Sequence, residues 1–124
     1  MKVTIKSLGV ISVCVLAQSY SNAGTVVCSG TVNMLAYHSP NKLMLQLSSM
    51  DNPVFICNAD SDWSVSGTTY TTGPGTCKAM YSTFLVAKST GKTVSSVYFD
   101  GDQVPATCNG WGTWKNANIR YFLY

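Results

Sequence analysis

Hydrophobic and polar positions recur with two different periods along the chain, and the change between them falls at Gly91. From Thr76, whose hydroxyl reads as an N-cap, Met80, Phe84 and Ala87 recur at i, i+4 and i+7 with Tyr81 and Leu85 beside them, the stripe of an amphipathic helix. Lys88 suits the negative end of the helix dipole, and Gly91 suits a left-handed stop. Beyond Gly91 the period is two: Val97 and Phe99 fall on one face of a strand, and Val94, Ser96 and Tyr98 on the other.

Upstream, Thr25 to Tyr37 reads as one long strand with Val26, Cys28, Gly30, Val32 and Met34 inward and Thr25, Val27, Ser29, Thr31 and Asn33 outward. Gly30 marks a bend. After the turn His38-Ser39-Pro40-Asn41, Leu43, Leu45 and Leu47 line one face of a second strand, and Val54 to Cys57 forms a short third. Asn116 to Tyr124 reads as the last strand, with Ala117, Ile119, Tyr121 and Leu123 on one face. The segment between Asn58 and Gly75 is expected to be a surface loop carrying Trp63 and Tyr70, and Asp100-Gly101-Asp102 to be a turn. One helix between the third and fourth of five strands predicts a mainly β fold, a small five-stranded barrel of the oligonucleotide/oligosaccharide-binding (OB) type.

The first residues change how the composition is read. Lys2 and Lys6, the apolar run Leu8 to Ala17 and Ser21-Asn22-Ala23 have the three parts of a secretory signal peptide, residues 1–23. The run is too short to span a bilayer, and Val13 before Cys14 argues against lipoprotein processing. Residues 24–124 are then expected to form a single domain, secreted by way of the periplasm. Without the leader, Lys42, Lys78, Lys88, Lys92, Lys115 and Arg120 face five aspartates and no glutamate, so the domain is close to neutral. Nucleic-acid binding is not expected of it, because that needs clustered cations to displace counterions from phosphates.

Export also leaves four cysteines, which in an oxidising compartment predicts two disulfides. Three connectivities are possible. Barrel topology favours Cys57 with Cys77, joining the third strand to the helix, and Cys28 with Cys108, because the first and fourth strands are neighbours.

Three stretches carry a family resemblance: Ser29-Gly30-Thr31-Val32; Pro53-Val54-Phe55-Ile56-Cys57; and Met80-Tyr81 through Leu85, then Thr90-Gly91-Lys92, Val94 and Tyr98. In order and spacing they resemble the cell-binding B subunits of bacterial toxins with five B subunits, in the subtilase-cytotoxin and pertussis-like branch. The resemblance implies a homopentameric OB-fold lectin that recognises host cell-surface glycans, sialylated ones among them, and delivers a separate catalytic subunit. It also implies that Ser29 and Tyr98 contact the sugar. By the alternation above, both fall on outward faces of strands expected to be neighbours. Thr25 stands where some relatives carry an acidic residue, and the C-terminal third does not follow the toxin pattern. The sequence is also similar to small exported proteins of unknown role, so the alternative is an exported structural or accessory protein that binds no sugar.

Trp63, Tyr70, Trp111 and Trp114 offer flat rings for sugar stacking, with Trp63 and Tyr70 taken as glycan candidates; packing is the competing role for each. Asn58-x-Asp60-x-Asp62 has calcium-loop spacing but Trp63 replaces the glycine and Thr69 the terminal glutamate, so no metal is expected. No cofactor is implied. The single histidine, His38, lies in a turn, and oxidised cysteines supply no thiolate, so the protein is not expected to be an enzyme.

Overall fold

A computed structural model describes Gly9 and residues 24–123. Apart from Gly9, the expected signal peptide lies outside the described residues, as does Tyr124. The elements in order are β1 (Gly24–Gly30), β2 (Val32–His38), β3 (Lys42–Leu47), β4 (Val54–Asn58), β5 (Trp63–Ser64), β6 (Thr71–Thr72), α1 (Pro74–Thr90), β7 (Val94–Gly101) and β8 (Asn118–Leu123). The fold is mainly β, with α1 between β6 and β7.

The strands are not five, and they do not close into one barrel. They form antiparallel sheets in the orders β1-β7-β8 and β2-β3-β4, plus the small pair β5-β6. The segment read as one long first strand is divided at Gly30, whose φ of 133° is open only to glycine without strain. A Cβ there would lie 2.1 Å from the Ser48 hydroxyl oxygen. Gly30 still pairs with Val94, while Val32 already pairs with Leu47, so the chain crosses between sheets here. Thr31 is held in the crossing by Ser48: its N–H donates to the Ser48 hydroxyl, and its carbonyl accepts the Ser48 N–H at 2.8 Å. On the other side, one parallel bridge, Phe55 to Asn116, links β4 to the segment before β8.

Sheet register explains where the simple alternation fails. Val26, Cys28 and Val32 are buried as the period requires, but a bulge between Val32 and Met34 turns Met34 out to solvent. A second bulge, between Tyr98 and Phe99, resets β8. Ala117 and Ile119 face the core, whereas Tyr121 and Leu123 are exposed and Phe122 packs inward, 4.8 Å from the Phe84 ring. One extra residue reverses every face beyond it.

The helix starts two residues before Thr76. Pro74 occupies its first turn, where a missing N–H costs nothing and φ is preset, and the cap is Gly73 with no side-chain bond. Cys77, Met80, Phe84 and Ala87 are buried, whereas Leu85 is exposed. The helix ends at Gly91 in the left-handed region at φ 68°, with the Lys92 N–H donating to Ala87 O at 3.0 Å. The Lys88 ammonium reaches across to Asn33 O at 3.2 Å, tying the last turn to β2.

Disulfides join Cys28 to Cys108 and Cys57 to Cys77, the pairs that strand adjacency favoured, with Cα separations of 5.8 and 5.5 Å. The first ties the loop before β8 to β1, and the second ties α1 to β4. Their sequence separations are 80 and 20 residues. Replacing either pair by serines should destabilise the protein by about 3 to 5 kcal/mol, with the Cys28–Cys108 pair costing about 1 kcal/mol more because it closes the longer loop; urea unfolding measures both. Gly30→Ala should cost about 2 to 4 kcal/mol through left-handed strain and the clash with Ser48, read in the same assay.

Candidate ligand-binding face

The outer face of the β1-β7-β8 sheet gathers the residues of interest, because β7 is its central strand. Register pairs Thr25 with Asp100, Val27 with Tyr98, and Tyr98 with Tyr121. Side chains of opposite residues share a face, so Thr25, Val27 and Ser29 of β1 border Tyr98 and Asp100 of β7. Ser29 is exposed and Tyr98 half-buried. The two therefore lie on the same solvent-facing side of neighbouring strands, on a diagonal. The Tyr98 ring stacks on Tyr121 at 4.1 Å with 25° between planes, and the neighbouring Tyr98 hydroxyl holds the Tyr121 phenol above its ordinary pKa.

At one end this face meets a cleft of about 340 Å³, lined by Thr25, Thr69, Tyr70, Asp100 and Arg120 among others. Asp100 organises it. Its side chain is 8% exposed against 50% for Arg120, and its carboxylate accepts four hydrogen bonds. Oδ1 accepts from the Thr25 hydroxyl at 2.6 Å and Arg120 Nη2 at 2.8 Å; Oδ2 accepts from the Tyr70 hydroxyl at 2.7 Å and Arg120 Nε at 2.9 Å. Burial by itself would raise the Asp100 pKa, but the bonds from Arg120, Thr25 and Tyr70 and the guanidinium charge outweigh it and hold the carboxyl below its ordinary value. Burial, then the bond to Asp100, pushes the Tyr70 phenol upward. Arg120 is raised chiefly by its bonds to Asp100.

Asn118 explains why Tyr70 reaches this point. Fully buried on β8, it accepts from the Thr72 hydroxyl at 3.0 Å and donates to Thr68 Oγ1 and Tyr70 O at 3.1 and 3.0 Å. A buried amide with its partners supplied fixes the loop against the sheet.

Chemically, the Asp100 carboxylate is poorly suited to taking up a proton. Asp100 has all its acceptor positions engaged and a lowered pKa, the reverse of what a general base requires. Both Arg120 bonds to Asp100 use Nε and Nη2, which leaves Nη1 at the half-exposed end of the side chain.

The structure separates the aromatic candidates. Trp63 is buried, with Nε1 donating to Ala117 O at 2.9 Å, so it belongs to the core and offers no stacking face. The segment around it is not irregular throughout, since it carries β5 and β6. Tyr70 lines the cleft with its hydroxyl committed to Asp100. Trp111 is buried edge-to-face against Phe99, and Trp114 is exposed. Asp100 is not in a turn: it lies buried within β7. Arg120, the only arginine, was a signal the pattern reading did not use; in a chain this poor in charge, a lone guanidinium on a strand asks for a carboxylate partner.

Among the described residues no group of three His, Cys, Asp or Glu side chains is placed to hold a metal ion. Asn58 Oδ1 instead accepts the N–H groups of Asp60 and Ser61, and Asn41 donates to Asp60, which closes a turn. No protein-family model, curated protein or solved structure matches the chain.

Because the folded-state pKa of Asp100 is the lower one, its stabilisation is complete above the ordinary carboxylate value of about 3.9 and is lost as pH falls through that value toward the folded one. Thermal unfolding followed from about pH 6 to about pH 2 should show this loss. Asp100→Asn should flatten that dependence and cost about 1 to 3 kcal/mol at neutral pH, the half-exposed Arg120 recovering part of its solvation.

Proposed function

We propose that the protein is a secreted glycan-binding subunit, similar in role to the B subunits of multi-subunit bacterial toxins, which assembles as a ring and delivers a separate catalytic chain. One observation carries the reading: Ser29 and Tyr98, the two positions at which the toxin resemblance places sugar contacts, share the solvent-facing side of adjacent strands. The cleft beside them supports it. The exposed Ser29 hydroxyl and the stacked Tyr98–Tyr121 pair suit a sugar's hydroxyls and its apolar ring face. Arg120 Nη1 suits the carboxylate of a sialylated terminus. Two disulfides suit an oxidising compartment and hence export. The strand orders, with the Gly30 crossing at one side and the Phe55–Asn116 bridge at the other, are compatible with an opened OB-like path.

A second reading, an exported accessory protein that binds no sugar, is favoured by the apolar residues on the same face: Val27, Tyr121 and Leu123 are 45%, 44% and 52% exposed, which suits a protein contact.

A glycan array discriminates the two. Binding to a restricted set of glycans is expected, with Ser29→Ala and Tyr98→Phe each weakening it about tenfold or more, as loss of a hydrogen bond in a weak site does. A flat array together with a monomeric mass in solution would sink the lectin reading in favour of the accessory one.

A further inference from the structure

The third tryptophan lies elsewhere. Trp114 has a φ of 61°, a left-handed conformation rare for a bulky residue, and the residue is 63% exposed. Backbone strain of this kind persists only where surrounding bonds impose it, and it collects where ligands bind. Those bonds are present. The Asp51 carboxylate accepts the N–H groups of Trp111 and Gly112 at 2.9 and 3.2 Å, and Lys115 O accepts the Phe55 N–H at 3.0 Å, so the loop is clamped on both sides of Trp114. Within that loop Trp111 is driven into the core while Trp114 is turned outward.

The exposed indole is also backed. Phe55 stacks with it at 5.9 Å and 26°, and His38 stands edge-on to both rings, at 5.1 Å from Trp114 and 5.5 Å from Phe55. Trp114 is thus the outer member of an aromatic group. It borders a cleft of about 200 Å³ shared with Met44, Pro53, Asn52 and Thr113. That volume is below the usual range for drug-sized ligands and suits a single ring. Met44 and Pro53 are apolar, Asn52 and Thr113 supply an amide and a hydroxyl, and no charged side chain lines the space. A rigid flat ring, an apolar wall and neutral hydrogen-bonding groups at the rim match a molecule with one apolar face, a polar edge and no charge.

We propose that the Trp114 cleft binds one neutral pyranose ring, with the sugar's C–H face on the indole and its hydroxyls toward Asn52 and Thr113. This site stands apart from the β1-β7-β8 face and does not depend on the Ser29–Tyr98 reading. A preformed ring costs little to order, so a weak but saturable contact results.

Saturation-transfer NMR on the whole protein tests it, with methyl β-D-galactopyranoside, methyl β-D-glucopyranoside and methyl α-D-mannopyranoside as probes and p-cresol as an uncharged aromatic control. At least one glycoside should show saturable transfer, strongest at C–H protons of one ring face. Trp114→Ala should weaken it at least about fivefold and Thr113→Val about threefold, while Lys78→Ala, exposed on α1 and outside both clefts, leaves it unchanged, and a Ser29→Ala, Tyr98→Phe double variant retains the part that Trp114 carries. Thr113→Val keeps the aromatic group intact and serves as the decisive variant if Trp114→Ala does not fold. Transfer from none of the glycosides, transfer from p-cresol alone, or glycoside transfer untouched by the Trp114 and Thr113 variants would overturn the proposal. Transfer lost only in the Ser29, Tyr98 double variant would also overturn it while leaving the other site standing.

Discussion

A carboxylate removed from water must be paired several times over, and Asp100 is where this chain meets that demand. Four donor groups from three separate places, Thr25 on β1, Arg120 on β8 through two nitrogens, and Tyr70 from the loop before β6, converge on it. Losing any one of them would leave part of a buried charge uncompensated, a penalty of about 1 to 3 kcal/mol for a hydrogen-bonding group. The central strand, its two neighbours and the loop that walls the cleft are therefore held in a single arrangement. Arg120 pays for this with half of its own surface still in water, which is why the pair is better understood as a device for positioning than as a large net source of stability.

Around that point the architecture follows from two crossings. At Gly30 the chain leaves one sheet for the other, and at Phe55–Asn116 a short parallel contact joins their far margins. Between them sits a core of leucines from β3, valines from β4 and β7, and the inner side of α1. A domain this small buries a modest fraction of its apolar surface. The two disulfides reinforce the points where the ladders provide least: the long loop before β8, and the attachment of the helix to β4.

Much of this was legible in the sequence where periodicity is undisturbed. The Leu43, Leu45, Leu47 face and the Met80, Phe84, Ala87 stripe are buried as their spacing requires, and Gly91 ends the helix. What misled was local. Bulges after Val32 and at Tyr98–Phe99 turned Met34, Tyr121 and Leu123 outward, and no period of two can announce an inserted residue. Pro74 displaced Thr76 as the helix start, because preset φ at the first turn outweighs a side-chain cap two residues later. Trp63, Trp111 and Trp114 are equivalent by composition, yet two are buried and one is exposed. Their sorting depends on bonds formed across the sequence, such as Trp63 to Ala117 and Asp51 to the Trp111 and Gly112 amides. The Asp100 cluster was hidden for the same reason, since its members come from residues 25, 70, 100 and 120.

The surface that results sets a limit on how sugar recognition could operate. On the β1-β7-β8 face the available groups are hydroxyls, stacked rings and one partly committed guanidinium. Exchanging a sugar's hydrogen bonds with water for bonds of this kind gains little per contact. An open face cannot enclose its ligand, so deeper burial does not make up the difference. Useful avidity would have to come from several sites acting together, gained by repetition rather than by depth. The charge balance permits it: with six cations against five carboxylates beyond residue 23, copies of the domain can approach without strong mutual repulsion. In that setting the apolar Val27, Tyr121 and Leu123 become the deciding feature. If they are covered by a neighbouring copy, Ser29 and Tyr98 beside them lie at an interface; if they stay open, any recognition on this face would be by each copy alone and weak.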